Sequence, residues 1–148
     1  MTRLPMRQAY LERLVPKAEG RIICSYLGSS ARMISKVRPQ GPNFILNDFM
    51  GLNISIALGM AVARPDKSVI VLEGDGGLLM NLGSLVTIAE QRPGNLVHVV
   101  FEDGVYFTTG GQPVPNAKNV AYDVMAKGAG YPRTYSFDNL EDFSNQIE

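Results

Sequence analysis

A short apolar run that ends in a glycine-flanked aspartate constrains the fold of this chain more than any other segment. Ser68–Leu72 is almost continuously apolar and rich in β-branched residues. Such runs are typical of strands covered on both faces, as in parallel sheets. Gly74–Gly77 follows at once, and its glycines allow the backbone to turn sharply. We therefore expect a buried strand followed by a tight turn.

Strand-like and helix-like segments alternate along the rest of the chain. The predicted strands are Arg21–Leu27, Phe44–Leu46, Ser68–Leu72, Leu96–Phe101 and Thr134–Phe137. The predicted helices are 1–19, Ala31–Val37, Gly51–Ala63, Asn81–Gln91, Ala121–Lys127 and Asn139–Ile147, with a long loop over Asp103–Asn119. This alternation predicts an α/β fold, a three-layer doubly wound parallel sheet with helices on both faces and right-handed crossovers.

Length and composition indicate one globular domain over residues 1–148. Apolar residues make up 45% of the chain and charged residues 19%, with a net charge of zero. The absence of a basic run argues against nucleic acid or an anionic membrane surface as a partner. One cysteine excludes an internal disulfide, and the apolar stretch Ile54–Ala63 is too short to span a bilayer. We expect a cytoplasmic protein, and a further strand after the last helix if the sequence is truncated.

Two aspartates follow neighbouring predicted strands. Asp75 lies between glycines, and 26 residues, enough for one helix and one strand, separate Gly76 from Asp103. Both aspartates should therefore reach the carboxyl edge of the sheet, where ligands bind in such folds. Glycine N–H groups and a helix N-terminus favour phosphate, and a carboxylate beside phosphate calls for a hard cation such as Mg²⁺. Gly-Asp-Gly alone is also compatible with an ordinary tight turn.

Several motifs together resemble a known family. They are Gly74–Gly76, Met80–Leu85, Asn95-Leu96, Gly104–Tyr106 and Thr109–Gln112. The chain is similar in these motifs to the diphosphate-binding domain of thiamine-diphosphate-dependent 2-oxoacid decarboxylases, above all phosphonopyruvate decarboxylase and the β subunit of sulfopyruvate decarboxylase. The resemblance covers most of the chain and implies the thiamine-diphosphate-binding fold, with thiamine diphosphate and Mg²⁺ as cofactors.

The resemblance also implies roles for individual residues. Asp75, Asp103 and the backbone carbonyl of Val105 would be the metal ligands. Met50 would be the apolar wedge that bends the cofactor, and the carbonyl of Asp48 would accept from its amino group. The full set of implied cofactor-binding residues is Gly28, Asp48, Met50, Gly74, Gly76, Gly77 and Tyr106. For Gly28 an ordinary strand-to-helix turn is an equally good interpretation.

Two positions depart from the family pattern. Asp103 stands where an Asn is usual, and Asp48-Phe49 replaces Gly-Ser before the wedge. The extra carboxylate would repel a diphosphate by a few kcal/mol if the two were about 4–5 Å apart at an effective dielectric constant near 20. We therefore expect tighter binding of the bare metal and weaker binding of the cofactor than in an Asn version. Phe49 could also crowd the pocket.

No catalytic residue is expected in this chain. The family needs a glutamate that protonates the cofactor's pyrimidine ring, and Glu73 and Glu102 are better read as structural or supporting residues. A partner α subunit would supply that glutamate, in an α₂β₂-like assembly, and the β-type chain could also form a homodimer. The substrate would be a small 2-oxoacid resembling 3-phosphono- or 3-sulfopyruvate. Lys118 is the only Lys or Arg in the 103–119 loop, so the partner would supply a cation or the substrate would be less anionic.

Other functions stay open at this point. A carboligase of the acetolactate synthase type would share the same motifs, and a non-catalytic or regulatory cofactor-binding module would tolerate the two departures. A ferredoxin-dependent oxidoreductase subunit is disfavoured by the single cysteine, Cys24. His98, the only histidine, lies mid-strand and is expected to be a packed core group.

Overall fold

Four parallel strands form the central sheet of the computed structural model, which describes residues 4–26 and 28–147. The strands are β1 Ile22–Tyr26, β2 Asn43–Leu46, β3 Val69–Gly74 and β4 Leu96–Phe101. The helices are α1 Leu4–Lys17, α2 Ser29–Val37, α3 Asn53–Ala63, α4 Asp75–Met80, α5 Ser84–Gln91, α6 Tyr122–Ala129 and α7 Leu140–Gln146. A small antiparallel hairpin, β5 Val105–Tyr106 and β6 Gln112–Pro113, encloses a 3₁₀ turn at Phe107–Thr109.

The order of the strands creates a switch point in the sheet. The order is β2-β1-β3-β4, and every neighbouring pair is parallel. After β1 the chain moves outward to β2, and α3 then carries it back to β3 on the other side of β1. Where the winding reverses in this way, the loops after the two central strands diverge and leave a crevice. That crevice lies beyond the carboxyl ends of β1 and β3.

Alternate residues of β3 build two separate cores. Ile70 and Leu72 belong to a cluster with residues of α1, α2 and α7, whereas Val69 and Val71 pack with residues of α3 and α5. All four side chains are at most 1% exposed, and burying a side chain of this size contributes about 1.5–3 kcal/mol. The sheet is thus covered on both faces, and the predicted three-layer α/β fold is confirmed.

The predicted N-terminal helix is present as α1. Its buried residues include Leu11 and Leu14, which lie on one stripe and pack against the α2 side of the sheet. The helix ends at Lys17, two residues before the predicted end. Residues 1–3 of the prediction lie outside the described residues. No helix in residues 4–26 and 28–147 has the length and apolar content needed to cross a bilayer.

The predicted strand at Thr134–Phe137 is wrong. This segment has no ladder partner in the described part of the chain. Phe137 instead packs edge-on against Phe143 of α7, with ring centroids 5.4 Å apart, and Tyr135 is 52% exposed. The alternation of apolar residues is therefore satisfied by packing under α7, with no pairing to the edge of the sheet.

The predicted helix Asn81–Gln91 starts three residues later than expected, as α5, and a separate helix that was not predicted, α4, precedes it. α4 begins directly at Asp75, a turn covers 81–83, and α5 begins at Ser84. The N–H of Asn81 donates to the carbonyl of Leu78 over 3.0 Å and ends α4. The consequence for the site is that Asp75 lies on the first turn of a helix, directly after β3.

Candidate functional site

A cleft lies at the carboxyl edge of the sheet, where the turns after β1, β3 and β4 meet. Its lining includes nine of the ten predicted site residues, namely Gly28, Met50, Gly74, Asp75, Gly76, Gly77, Asp103, Val105 and Tyr106. The tenth, Asp48, is exposed and lies outside this lining. The fold therefore brings residues from four distant parts of the sequence to one place.

Asp75 is a buried carboxylate at the centre of this cleft. It is 3% exposed. Its Oδ1 accepts from the N–H of Gly76 over 2.9 Å, and its Oδ2 accepts from the N–H of Gly104 over 2.7 Å. Burial raises the pKa of Asp75 above its ordinary value, the two N–H groups act in the opposite sense, and the charge of Asp103 adds to the rise. A cation bound here would offset this unfavourable negative charge.

Two glycines leave the backbone beside Asp75 free of side chains. A Cβ on Gly76 would lie 2.5 Å from Cε1 of Tyr106, and one on Gly77 would lie 2.9 Å from the hydroxyl of Tyr26. Neither distance is sterically tolerable, so the two aromatic side chains require glycine at these positions. A backbone without side chains can also approach an anion closely.

Arg7 is the charged cleft residue that sequence reasoning missed. It comes from α1, is 7% exposed, and forms a salt bridge with Asp103. Its Nη1 donates to Oγ of Ser30 over 3.0 Å, and its guanidinium carbon lies 4.8 Å from the ring centroid of Phe101. One signal was available: Arg7 precedes Leu11 by four residues and is thus on the buried stripe of α1.

The start of α3 holds Met50 at the cleft. Asn53 is fully buried, and its Nδ2 donates to the carbonyl of Leu72 in β3 over 3.0 Å. The thiol of Cys24 in β1 donates to Oδ1 of the same Asn53 over 3.1 Å. Phe49, which was expected to crowd the pocket, is 65% exposed and lies outside the cleft lining. Its φ of 67° lies in the left-handed region, which is unfavourable for a bulky residue.

Glu73 and His98 form a buried polar pair below the cleft. The Glu73 side chain is fully buried, and its Oε2 lies 3.3 Å from Nε2 of His98. Nδ1 of His98 lies 3.4 Å from the hydroxyl of Tyr131. Burial, followed by the charge of Glu73, raises the pKa of Tyr26 to about 12. Neither Glu73 nor His98 lines the cleft, so the expectation that both are core groups agrees with their positions.

The loop after β4 covers one side of the cleft. The N–H of Gly111 donates to the carbonyl of Tyr106 over 2.9 Å and closes the β5–β6 hairpin. On this loop Thr108 lines the cleft, whereas Thr109 and Gln112 bond to each other and are exposed. The hairpin therefore contributes Tyr106 and Thr108 to the site.

The oxygen atoms at the cleft suit a hard divalent cation. Asp75, Asp103 and Val105 line it together, and they offer two carboxylates and one backbone carbonyl. Mg²⁺ prefers a small number of protein oxygens and completes its shell with water or phosphate oxygens. No group of three or more His, Cys, Asp or Glu side chains is placed to hold a metal in the described residues. These residues fit Mg²⁺ together with a diphosphate.

Comparison with known proteins identifies the family. Residues 27–148 match the family described as thiamine pyrophosphate enzyme, C-terminal TPP binding domain. The chain belongs to this family. The resemblance drawn from its motifs is thereby confirmed, and the family's cofactor, thiamine diphosphate, agrees with the bare glycine backbone and buried carboxylate of the cleft.

Two relatives among the thiamine diphosphate enzymes match nearly the whole chain. The sulfopyruvate decarboxylase subunit beta of Methanocaldococcus jannaschii is 37% identical over 145 residues, which are 97% of this chain and 76% of that protein. The phosphonopyruvate decarboxylase of Streptomyces viridochromogenes is 35% identical over 144 residues, again 97% of this chain but 36% of that protein. The chain therefore spans about three quarters of the first relative and about a third of the second.

A solved structure confirms the fold of this thiamine diphosphate enzyme domain. The benzoylformate decarboxylase of Polynucleobacter necessarius superposes with a TM-score of 0.78 over 95% of this chain and 29% of that one. The sequence identity is 19%, so this likeness concerns the arrangement of strands and helices alone.

Proposed function

We propose that this chain is the subunit of a thiamine-diphosphate-dependent decarboxylase that binds the diphosphate of the cofactor through Mg²⁺. Its substrate is a small 2-oxoacid with an anionic tail, similar to 3-sulfopyruvate or 3-phosphonopyruvate. The names of the two relatives support decarboxylation of such an acid.

The observation that carries this proposal is the meeting of two turns at Asp75. The turn after β4 donates to Asp75 through Gly104 and also presents Asp103 and Val105 at the same cleft. Asp75, Asp103 and the carbonyl of Val105 would hold Mg²⁺, which would offset the negative charge of the diphosphate. The N–H groups of Gly76 and Gly77 bind phosphate oxygens, and Gly28 lets the start of α2 approach the same anion.

The remaining cleft residues orient the cofactor. Met50 would support its rings, and Tyr106 closes the cleft over Gly76. Asp48 lies outside the cleft lining, and its carbonyl would accept from the aminopyrimidine once the partner is in place. Thiamine diphosphate, when bound, would supply a nucleophilic carbon for the 2-oxo group and a ring that takes up the electron pair released with CO₂. This chain would fix the position of the cofactor and keep water from its diphosphate end.

A partner α subunit completes the site. Among the described residues that line the cleft, only Asp75 and Asp103 carry carboxylates. Both are assigned to the metal. The glutamate that activates the cofactor therefore comes from another chain. The designation subunit beta of the M. jannaschii relative supports this assembly. Phe49 is exposed and directly precedes the cleft residue Met50. In an α₂β₂-like complex, or in a homodimer in the absence of α, the partner would cover it.

Binding measurements on the isolated chain test the metal and cofactor site. Calorimetry and thermal unfolding with Mg²⁺ and thiamine diphosphate should show binding and a raised Tm for the wild type. Asp75→Asn should abolish both effects. Asp66→Asn, in an exposed pair with Arg64, is the matched control and should behave as the wild type. Equal responses of the two variants would refute the assignment of Asp75.

Activity measurements with the partner test the reaction. The chain is combined with a pyrimidine-domain α subunit, sought first in the neighbouring reading frame, and supplied with 3-sulfopyruvate, 3-phosphonopyruvate or pyruvate. Release of CO₂ and one equivalent of aldehyde supports the decarboxylase, whereas a carbon–carbon coupled product indicates a carboligase. Cofactor binding without turnover of any 2-oxoacid would indicate a regulatory module.

A further inference from the structure

Arg7 is a buried cation at a site that otherwise carries negative charge. Among the described residues that line the cleft, it is the only Lys or Arg, and the acids are Asp75 and Asp103. By formal charge the cleft lining thus has two carboxylates against one guanidinium. Arg7 belongs to α1, which lies outside the family match over residues 27–148.

The contacts of Arg7 do not all depend on Asp103. Nη1 is held by Ser30 at 3.0 Å, and the guanidinium lies 4.8 Å from the ring centroid of Phe101. Nη2 contacts only one carboxylate oxygen of Asp103, Oδ2. Ser30 and Phe101 therefore keep the cation at the cleft even when Asp103 turns toward a metal, and the second oxygen, Oδ1, is not taken by this salt bridge.

This arrangement offsets the charge that an aspartate adds at position 103. Unopposed, that carboxylate would repel a bound diphosphate, because charges in a partly buried cleft are weakly screened. With Arg7 attached, the pair is neutral as a whole and still presents an oxygen to the cation. In charge, the Arg7–Asp103 pair is thus equivalent to a neutral oxygen ligand.

We propose that Arg7 is a positioning residue of the cofactor site, which neutralises Asp103, orients it toward the metal and attracts the anionic diphosphate. This role rests on the proposed function of the cleft. It explains how a metal site with two carboxylates accommodates a diphosphate, and it assigns a function to α1 beyond covering the sheet.

The test compares the full-length wild type with Arg7→Met, Asp103→Asn and the double variant by calorimetry. For bare Mg²⁺, affinity should rise in Arg7→Met and fall in Asp103→Asn, each by about tenfold, because the cleft becomes more or less negative. For thiamine diphosphate at saturating Mg²⁺ the order should reverse: Asp103→Asn binds most tightly and Arg7→Met most weakly. The double variant should return close to the wild type.

A purely structural role gives a different pattern. If Arg7 only packs α1 against the sheet, Arg7→Met weakens both ligands and the double variant does not recover, which would overturn the proposal. Arg64→Met combined with Asp66→Asn removes an exposed Arg–Asp pair and should change neither affinity.

If Arg7→Met does not fold, the test rests on Asp103→Asn: weaker or unchanged cofactor binding by this variant contradicts the proposal. If the wild type does not bind the cofactor either alone or with an α subunit, the proposed site itself is refuted, and with it the role of Arg7. If the wild type binds and Arg7→Met binds equally well, only the role of Arg7 is refuted.

Discussion

The N–H of Gly104 donates to Oδ2 of Asp75 over 2.7 Å, so the turn after β4 is fixed directly to the turn after β3. This bond joins the two segments that carry the proposed metal ligands. Because the donor is a backbone group, the bond does not depend on the side chain of Asp103, but it does depend on the carboxylate of Asp75. One bond from backbone to carboxylate therefore helps to set the relative position of Asp75 and Asp103.

The pH dependence of stability should reveal the burial of Asp75. Its pKa is raised in the folded state, so the folded chain holds this proton more firmly than the unfolded chain. The contribution of Asp75 to stability therefore increases as pH falls through the raised pKa, and is constant below the ordinary value. We expect the difference in unfolding free energy between wild type and Asp75→Asn to shift in favour of the wild type on acidification. Urea titrations from pH 7 to pH 3.5 measure it, and saturating Mg²⁺ should reverse the trend. A pH-independent difference would contradict the raised pKa.

Gly76→Ala should destabilise the chain and block the cleft. The added methyl would lie 2.5 Å from the Tyr106 ring, and overpacking of this kind costs about 1–3 kcal/mol. Thermal unfolding and thiamine diphosphate binding measure the two effects. Gly59→Ala is the control, because a Cβ there meets no atom within 4 Å and the position is inside α3; it should be neutral or stabilising. Adding Tyr106→Ala to Gly76→Ala should restore the Tm, and failure to do so would count against the clash.

Asn53→Ala should destabilise the chain by about 1–3 kcal/mol, because the bonds to Leu72 and Cys24 are lost in a fully buried environment. The start of α3 would be released from the sheet, so the support that Met50 gives the cofactor should weaken as well. Urea denaturation and cofactor titration give the two values. Asn81→Ala removes a more exposed bond to Ser55 and should cost less than about 1 kcal/mol. Similar losses of unfolding free energy in the two variants would argue against a special role for Asn53.

Cys24 should be inert in the native state. Burial, followed by the charge of Glu73, raises the pKa of its thiol to about 12, so the reactive thiolate is scarce at neutral pH. Labelling with a thiol reagent at pH 8 should be slow in buffer and fast in denaturant. The unfolded thiol ionises first, so the stability contributed by this group is complete below its ordinary pKa and is lost as pH rises from about 9 to about 12. Cys24→Ser should lose less stability over this alkaline range than the wild type. Rapid labelling of the native chain would contradict the burial and the raised pKa of the thiol.

Local patterns predicted the centre of the fold and most of the cleft. The apolar run ending at Gly74–Gly77 fixes a buried strand and a turn, and the spacing to Asp103 places the second carboxylate on the adjacent strand. Such inferences succeed because strand, turn and crossover lengths are determined by short stretches of sequence. The strand predicted at Thr134–Phe137 was wrong, because its alternation of apolar residues is compatible both with a strand and with packing beneath a helix.

The Arg7–Asp103 contact could not be predicted from local sequence patterns. Its two residues are 96 positions apart, and nothing near Arg7 indicates which strand end its side chain will reach. Its position on the buried stripe of α1 predicts a buried cation, but the partner is determined only when α1 packs beside the start of α2. Asn53 was missed for the same reason, because its acceptor belongs to a strand that it reaches only in the folded chain.

The position of Arg7 on α1 has a practical consequence for defining a minimal cofactor-binding fragment. A fragment cut at the family boundary, residue 27, would keep Asp75, Asp103 and both glycines, and would look complete by its motifs. It would nevertheless lose β1, the Arg7 cation and the Leu11 and Leu14 side chains that cover one face of the sheet. Grafting this site onto another scaffold would therefore have to include the helix that precedes the motifs.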